Sequence, residues 1–204
     1  YLPYTFRVTD IPRAFLEANA AHICPIDFVS HKILPSVLRG GMIQTLSMRA
    51  TDCYMDPAFW EEMRNLISEL SMFMLSEKQA LRLFQGRSVD LWEIARVLAS
   101  YGPEYLIINS KDGAAWVYDR VENKRFIVPA WAGSIVDPTG GLNAFDGAFL
   151  YNYRKSYDIV HATVCANLSM GICMEGSGPD YLTETLTALR DARLYALSQQ
   201  VIYL

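Results

Sequence analysis

Residues 136–149 (VDPTGGLNAFDGAF) hold the most chemically suggestive spacing in the chain. They read as a strand end, a turn through Gly140 and Gly141, and then an apolar helix. The first turn of such a helix leaves backbone N–H groups without intrahelical partners, here those of Gly140, Gly141, Leu142 and Asn143. Those donors and the helix dipole both favour negative charge, so the segment suits an anion. An ordinary helix capped by the Thr139 hydroxyl fits the same residues. Asp146 follows Asn143 by about one helical turn and is expected to face away from those donors.

Two other stretches put polar groups directly after apolar runs. Ser76-Glu77-Lys78-Gln79 follows residues 71–75, and Ser76 has the side chain of a helix cap. Asn109-Ser110-Lys111-Asp112-Gly113 follows residues 105–108 and reads as a solvated turn whose donors could also meet a phosphate. Cys24, Cys53, Cys165 and Cys173 are scattered in apolar surroundings without C-x-x-C spacing. They read as four buried thiols in a reducing compartment, which implies the cytoplasm. His22, His31 and His161 are equally dispersed, so no zinc site is expected.

The elements that must position these groups follow from periodicity. Helical patterns cover residues 11–20, 27–39 with a break at Pro35, 56–70 with Asp56 as cap and Pro57 in the first turn, 77–84 and 89–101. Buried strands are expected at 21–26, 42–49, 71–75 and 105–109. Residues 114–119 and 124–131 read as two strands around a turn at Glu122-Asn123. Helices at 141–155, 158–174 and 183–202 close the chain. Alternating strands and helices predict an α/β fold, a mostly parallel sheet with helices on both faces. Ligands in such folds sit where strand ends lead into helix N-termini.

Composition narrows the function classes. At 204 residues and 51% hydrophobic content, the chain has ample core for one domain and is not disordered. A net charge of −4 argues against a nucleic-acid surface, which needs clustered Lys and Arg. No apolar run approaches the roughly 20 residues of a membrane span.

The 136–149 segment resembles the signature of the PfkB/ribokinase family of carbohydrate and nucleoside kinases, D-T-x-G-A-G-D-A-F with an apolar continuation. Asp137, Thr139, Gly140, Ala144, Phe145, Gly147 and Phe149 match it in register. The resemblance implies a ribokinase-like fold in which the amides of Gly140, Gly141, Leu142 and Asn143 form an anion hole for the transferred phosphoryl group. Asn143 stands where the family has the Asp that takes the proton from the substrate hydroxyl. A carboxamide cannot accept that proton at neutral pH, and general-base help is worth about 10²–10⁴-fold.

Other positions carry the resemblance with changes. Ser76, Glu77 and Gln79 fall on the family's magnesium-organising N-x-x-E segment, with Ser for Asn and Gln for Glu, which weakens a magnesium site. Ser110 and Gly113 fall on its nucleotide-binding T-x-G-x-x-G, with Gly113 matching. Asn167, Gly171 and Gly176 fall on the helix and loop that line its adenine pocket. Asp137 and Thr139 match positions that hold a monovalent cation in some members. The resemblance thus implies a single ribokinase-like domain over residues 1–204 that lacks the N-terminal third of the family fold, its first strands and lid. It implies ATP and Mg, both weakened, with a small sugar- or nucleoside-like substrate, no nucleic acid and no membrane, and it leaves a homodimer open. Two functions follow: an ATP-dependent PfkB-type kinase, or a catalytically degenerate member, a pseudokinase that binds a small molecule, nucleotide or protein. An early strand near residues 5–8 is expected as the return from the lid.

Overall fold

The computed structural model describes residues 5–178 and 180–204. The chain divides into two compact units, one holding residues up to Lys111 with Val117–Arg125, the other Asp112–Trp116 with Phe126–Leu204.

In the first unit, β1 (Ala20–Ile23), β2 (Thr45–Arg49), β3 (Met72–Ser76) and β4 (Tyr105–Asn109) run parallel, each beside its neighbour in sequence. His22 stands opposite Ser47, Ser47 opposite Met72, and Met72 opposite Tyr105. β2 and β4 are buried along their whole length, as strands covered on both faces must be. That is why they read as continuous apolar runs and not as alternating ones. Helix α1 (Arg13–Leu16) precedes β1, and α2 (Phe28–Arg39), α3 (Trp60–Ile67), α4 (Glu77–Leu83) and α5 (Leu91–Ala99) lie between the strands in the chain. Asp27 caps α2, accepting the Ser30 N–H at 3.0 Å. Pro35 is accommodated inside that helix and buried.

The hairpin strands β5 (Ala115–Asp119) and β6 (Lys124–Val128) contribute residues to both units. The strand order is β1-β2-β3-β4-β5-β6-β7, where β7 (Ile202–Tyr203) runs antiparallel to β6 within the second unit. The sheet is therefore mixed, parallel through its first four strands. The second unit is otherwise helical: α6 (Gly141–Ser156), α7 (Ile159–Met174), α8 (Asp180–Glu184) and α9 (Thr187–Ser198). Phe145 and Phe149 of α6 and Ala162, Ala166 and Leu168 of α7 are buried.

Several expectations need correction. The helix expected over residues 183–202 is two helices and a strand: Leu186 is extended (φ −56°, ψ 132°), and Ile202–Tyr203 pairs with β6. The local pattern missed this because Tyr203 finds its ring partner, Phe126, far away in sequence. The helix expected at residues 11–20 holds only Arg13–Leu16. Asp56 caps a short 3₁₀ turn, Pro57–Phe59, before α3 begins at Trp60. No strand forms near residues 5–8; Val8–Asp10 is a 3₁₀ turn closed by the Asp10 carboxylate on the Arg7 N–H. Of the four thiols only Cys173 is buried, since Cys24 and Cys53 lie exposed in loops beyond β1 and β2 and Cys165 is half-buried. Among the described residues no helix is long and apolar enough to cross a membrane.

Candidate functional site

The second unit builds the turn into α6 in three layers. Val136 and Asp137 both donate backbone N–H groups to the Met174 carbonyl at the end of α7, at 2.8 and 3.2 Å. The Asp137 carboxylate then folds the next turn, one oxygen accepting the Thr139 N–H at 2.9 Å and the other the Ser177 hydroxyl at 3.1 Å. Those bonds, the Thr139 N–H first, hold the Asp137 carboxyl below its ordinary value. Gly140 follows in the left-handed conformation (φ +81°) as the N-cap of α6. Glycine adopts that backbone without the penalty a Cβ carries.

Thr139 is therefore not the cap, and no side chain caps α6 at all. The Gly141 N–H turns back to the Pro138 carbonyl at 3.2 Å, leaving the amides of Leu142 and Asn143 as the donors of the exposed first turn. Of the four amides singled out in the sequence, that of Gly141 is thus engaged within the turn itself.

Asn167 lies on α7, fully buried, with its amide nitrogen 3.3, 3.1 and 2.8 Å from the carbonyls of Gly113, Val128 and Pro129. It clamps the two segments that flank the hairpin, and its own carbonyl oxygen has no hydrogen-bond partner. Gly113 sits at φ +85°. Gly171 packs against Trp131, whose Cβ lies 2.7 Å from where a Gly171 side chain would begin. Gly176 is covered by the Tyr181 ring in the same manner, at 2.3 Å. The Trp131 ring is itself held, its Nε1–H donating to Glu175 Oε1 at 2.9 Å while Arg193 donates to Glu175 Oε2 at 2.8 Å.

In the first unit, Ser76 and Gln79 form a reciprocal cap on α4. The Gln79 N–H donates to Ser76 Oγ at 3.2 Å, and the Ser76 N–H donates to Gln79 Oε1 at 2.9 Å. The Gln79 amide nitrogen donates onward to Asp52 at 2.7 Å. Glu77 accepts the Lys111 N–H at 2.9 Å, tying the start of α4 to the loop after β4. Buried Arg49 at the end of β2 donates to Asn109 at the end of β4, 2.9 Å away. Ser76, Glu77, Gln79 and Ser110 therefore gather at the carboxyl ends of the parallel strands, where ligands bind in such sheets.

The chain is 27% identical over 152 residues to a cytidine kinase of Thermococcus kodakarensis, a match spanning 71% of this chain and 51% of that protein. Among solved structures, a pyrophosphate-dependent myo-inositol-1 kinase converted to a myo-inositol-3 kinase superposes with a TM-score of 0.70 at 24% identity, over 96% of this chain and 68% of that one. A proposed ribokinase II from E. coli, solved with ATP and Mg²⁺, gives 0.73 at 18% identity, over 93% and 63%. The fold is that of the ribokinase-family kinases. No protein-family model matches the chain. The chain spans about half the length of the cytidine kinase it resembles.

Set on the ribokinase fold, the residues singled out in the sequence fall into two groups. Asp137, Thr139, Gly140, Gly141, Leu142, Asn143, Gly113, Asn167, Gly171 and Gly176 belong to the second unit, and Ser76, Glu77, Gln79 and Ser110 to the first. The residues at the magnesium-motif positions do not fit that ion as they stand: Ser76 and Gln79 are engaged in the cap, and one Glu77 oxygen is on Lys111. The Glu175–Arg193–Trp131 cluster escaped the sequence, because its members lie 18 and 44 residues apart with no shared periodicity. The Arg49–Asn109 bond, across 60 residues, escaped for the same reason.

Proposed function

We propose that the chain carries the phosphoryl-transfer core of a PfkB-type kinase acting on a hydroxyl of a small sugar- or nucleoside-like substrate. The observation that carries this reading is the turn into α6, where Gly140 is left-handed, no side chain caps the helix, and the Leu142 and Asn143 amides face outward. Phosphoryl transfer depends mostly on positioning and charge stabilisation, which backbone donors supply without any side chain. In this reading those amides receive the transferred group, and the donor's remaining phosphate leaves with its bridging oxygen. Asn143 orients the acceptor hydroxyl, whose proton passes to a phosphoryl oxygen and not to a side chain. Turnover is correspondingly slow.

ATP with Mg²⁺ is the proposed donor, by likeness to the E. coli protein solved with both. The altered magnesium-motif residues leave the metal to the donor's own phosphates more than to this chain. Asp137 and Thr139 would hold a monovalent cation only by giving up part of the Asp137 turn. Pyrophosphate is the alternative donor, favoured by the covering of Gly171 by Trp131 and of Gly176 by Tyr181. Those are the positions that would otherwise face a base. It also matches the donor named for the myo-inositol kinase. A cytoplasmic setting and a homodimer complete the reading.

The competing reading is a degenerate family member, a pseudokinase that binds a ligand without turning it over. It is favoured by Asn143 together with the Ser76–Gln79 cap. Transfer of ³²P from ATP and from pyrophosphate to a pooled sugar and nucleoside library separates these readings. Turnover above that of an Asn143→Ala variant supports the kinase and names its donor. Donor binding with no transfer supports the degenerate reading.

A further inference from the structure

Helix α7 presents two neighbouring faces. Asn167 and Gly171 pack against Pro129 and Trp131, while His161, Cys165, Leu168 and Ile172 recur at helical spacing on the adjoining face. Against that second face, α6, α7, α8 and α9 enclose a groove of about 630 Å³, all within the second unit. Its volume lies in the roughly 300–1,000 Å³ range of small-molecule sites.

Three features mark the groove as more than a gap between helices. Gly147 lies in the middle of α6 and lines the groove, and a side chain begun there would meet nothing within 4 Å. Glycine weakens a helix interior, and no close approach of the protein's own atoms calls for it at this position. Lys155, two turns further along α6, also lines the groove and has no acidic partner among the described residues. Arg190 lines the groove from α9 but is paired with Asp191 at 2.8 Å, so Lys155 carries the uncompensated charge. Leu168, Ile172 and Leu194 supply an apolar floor. Cys165 adds no negative charge: burial pushes its thiol up to about 11 against the opposing pull of Arg190 and Lys155, with Asp158 acting in the same sense as burial. Asn143 reaches one end of the groove, so an occupant would lie beside the first turn of α6.

We propose that this groove binds a small organic anion with an apolar body, its ring or chain laid over Gly147 and Leu168 and its acidic group on Lys155. This site does not depend on the kinase reading. The probe pair is 8-anilinonaphthalene-1-sulfonate and its uncharged analogue N-phenyl-1-naphthylamine, titrated by fluorescence into the full chain. The sulfonate is expected to bind saturably at one site and tighter than the neutral probe, with Lys155→Gln weakening the sulfonate about threefold and sparing the neutral probe. Gly147→Leu fills the floor and is expected to abolish saturable binding of both without lowering the melting temperature. Non-saturable binding would overturn the proposal, as would binding that persists in Gly147→Leu or charge discrimination that persists in Lys155→Gln.

Discussion

Asn143 concentrates the chemical question in one atom. Its position at the start of α6 is set by Gly140 and the Asp137 turn, not by its own side chain, so replacing it leaves the amides in place. Asn143→Asp is expected to raise phosphoryl transfer by about 10²–10⁴-fold in the ³²P assay, with little change in donor affinity. A change in affinity alone would place the residue in binding and not in proton transfer. Asp137 offers a second reading at this scale. Its carboxyl is held below the ordinary value, so it binds its proton less readily folded than unfolded. Its contribution to stability is therefore present above the unfolded value near 3.8 and is lost as the pH falls through the lower folded value. Carbon-detected NMR titration should find Asp137 below the ordinary aspartate value, and Ser177→Ala should move it back toward that value. Gln79 is the third such residue. Its amide nitrogen sits 2.7 Å from Asp52, so Gln79→Glu would set two carboxylates face to face. That variant is expected to gain a melting temperature that rises with added Mg²⁺, which the parent chain lacks at this position.

At the scale of elements, the two caps behave in opposite ways. α4 is closed by a side-chain box, and Ser76→Ala is expected to lower stability by about 1 kcal/mol, read as a fall in denaturant midpoint. α6 is closed by a glycine and carries another at Gly147, exposed and free of neighbours. Gly147→Ala is expected to raise stability by up to about 1 kcal/mol. These caps also show how far the sequence could be read. β1 to β4 and α2 to α7 were legible because apolar runs, Asp56 and Ser76 at helix starts, and glycine turns are local signals. The short β7 was not, because two residues carry no period and owe their strand to β6. The turn into α6 was legible as a Gly-rich helix start. What was not legible was its support, since Met174, Ser177 and Cys173 reach it from the far end of α7.

Across the whole molecule, burial is unequal. β2, β3 and β4 are nearly inaccessible along their length, whereas α8 and most of α9 are exposed. Hydrogen exchange should therefore be slowest across residues 45–76 and 105–109 within the strands, and fastest across 180–198. The reverse order would mean that the strands are not the stable centre of the chain. The division of the hairpin has a consequence for heredity as much as for folding. Because residues 112–116 belong with the second unit and 117–125 with the first, the chain passes between the units three times. No single break in the coding sequence can release either one intact. Neither unit can be lent to another gene as a cassette, or lost by truncation, without taking part of the other with it.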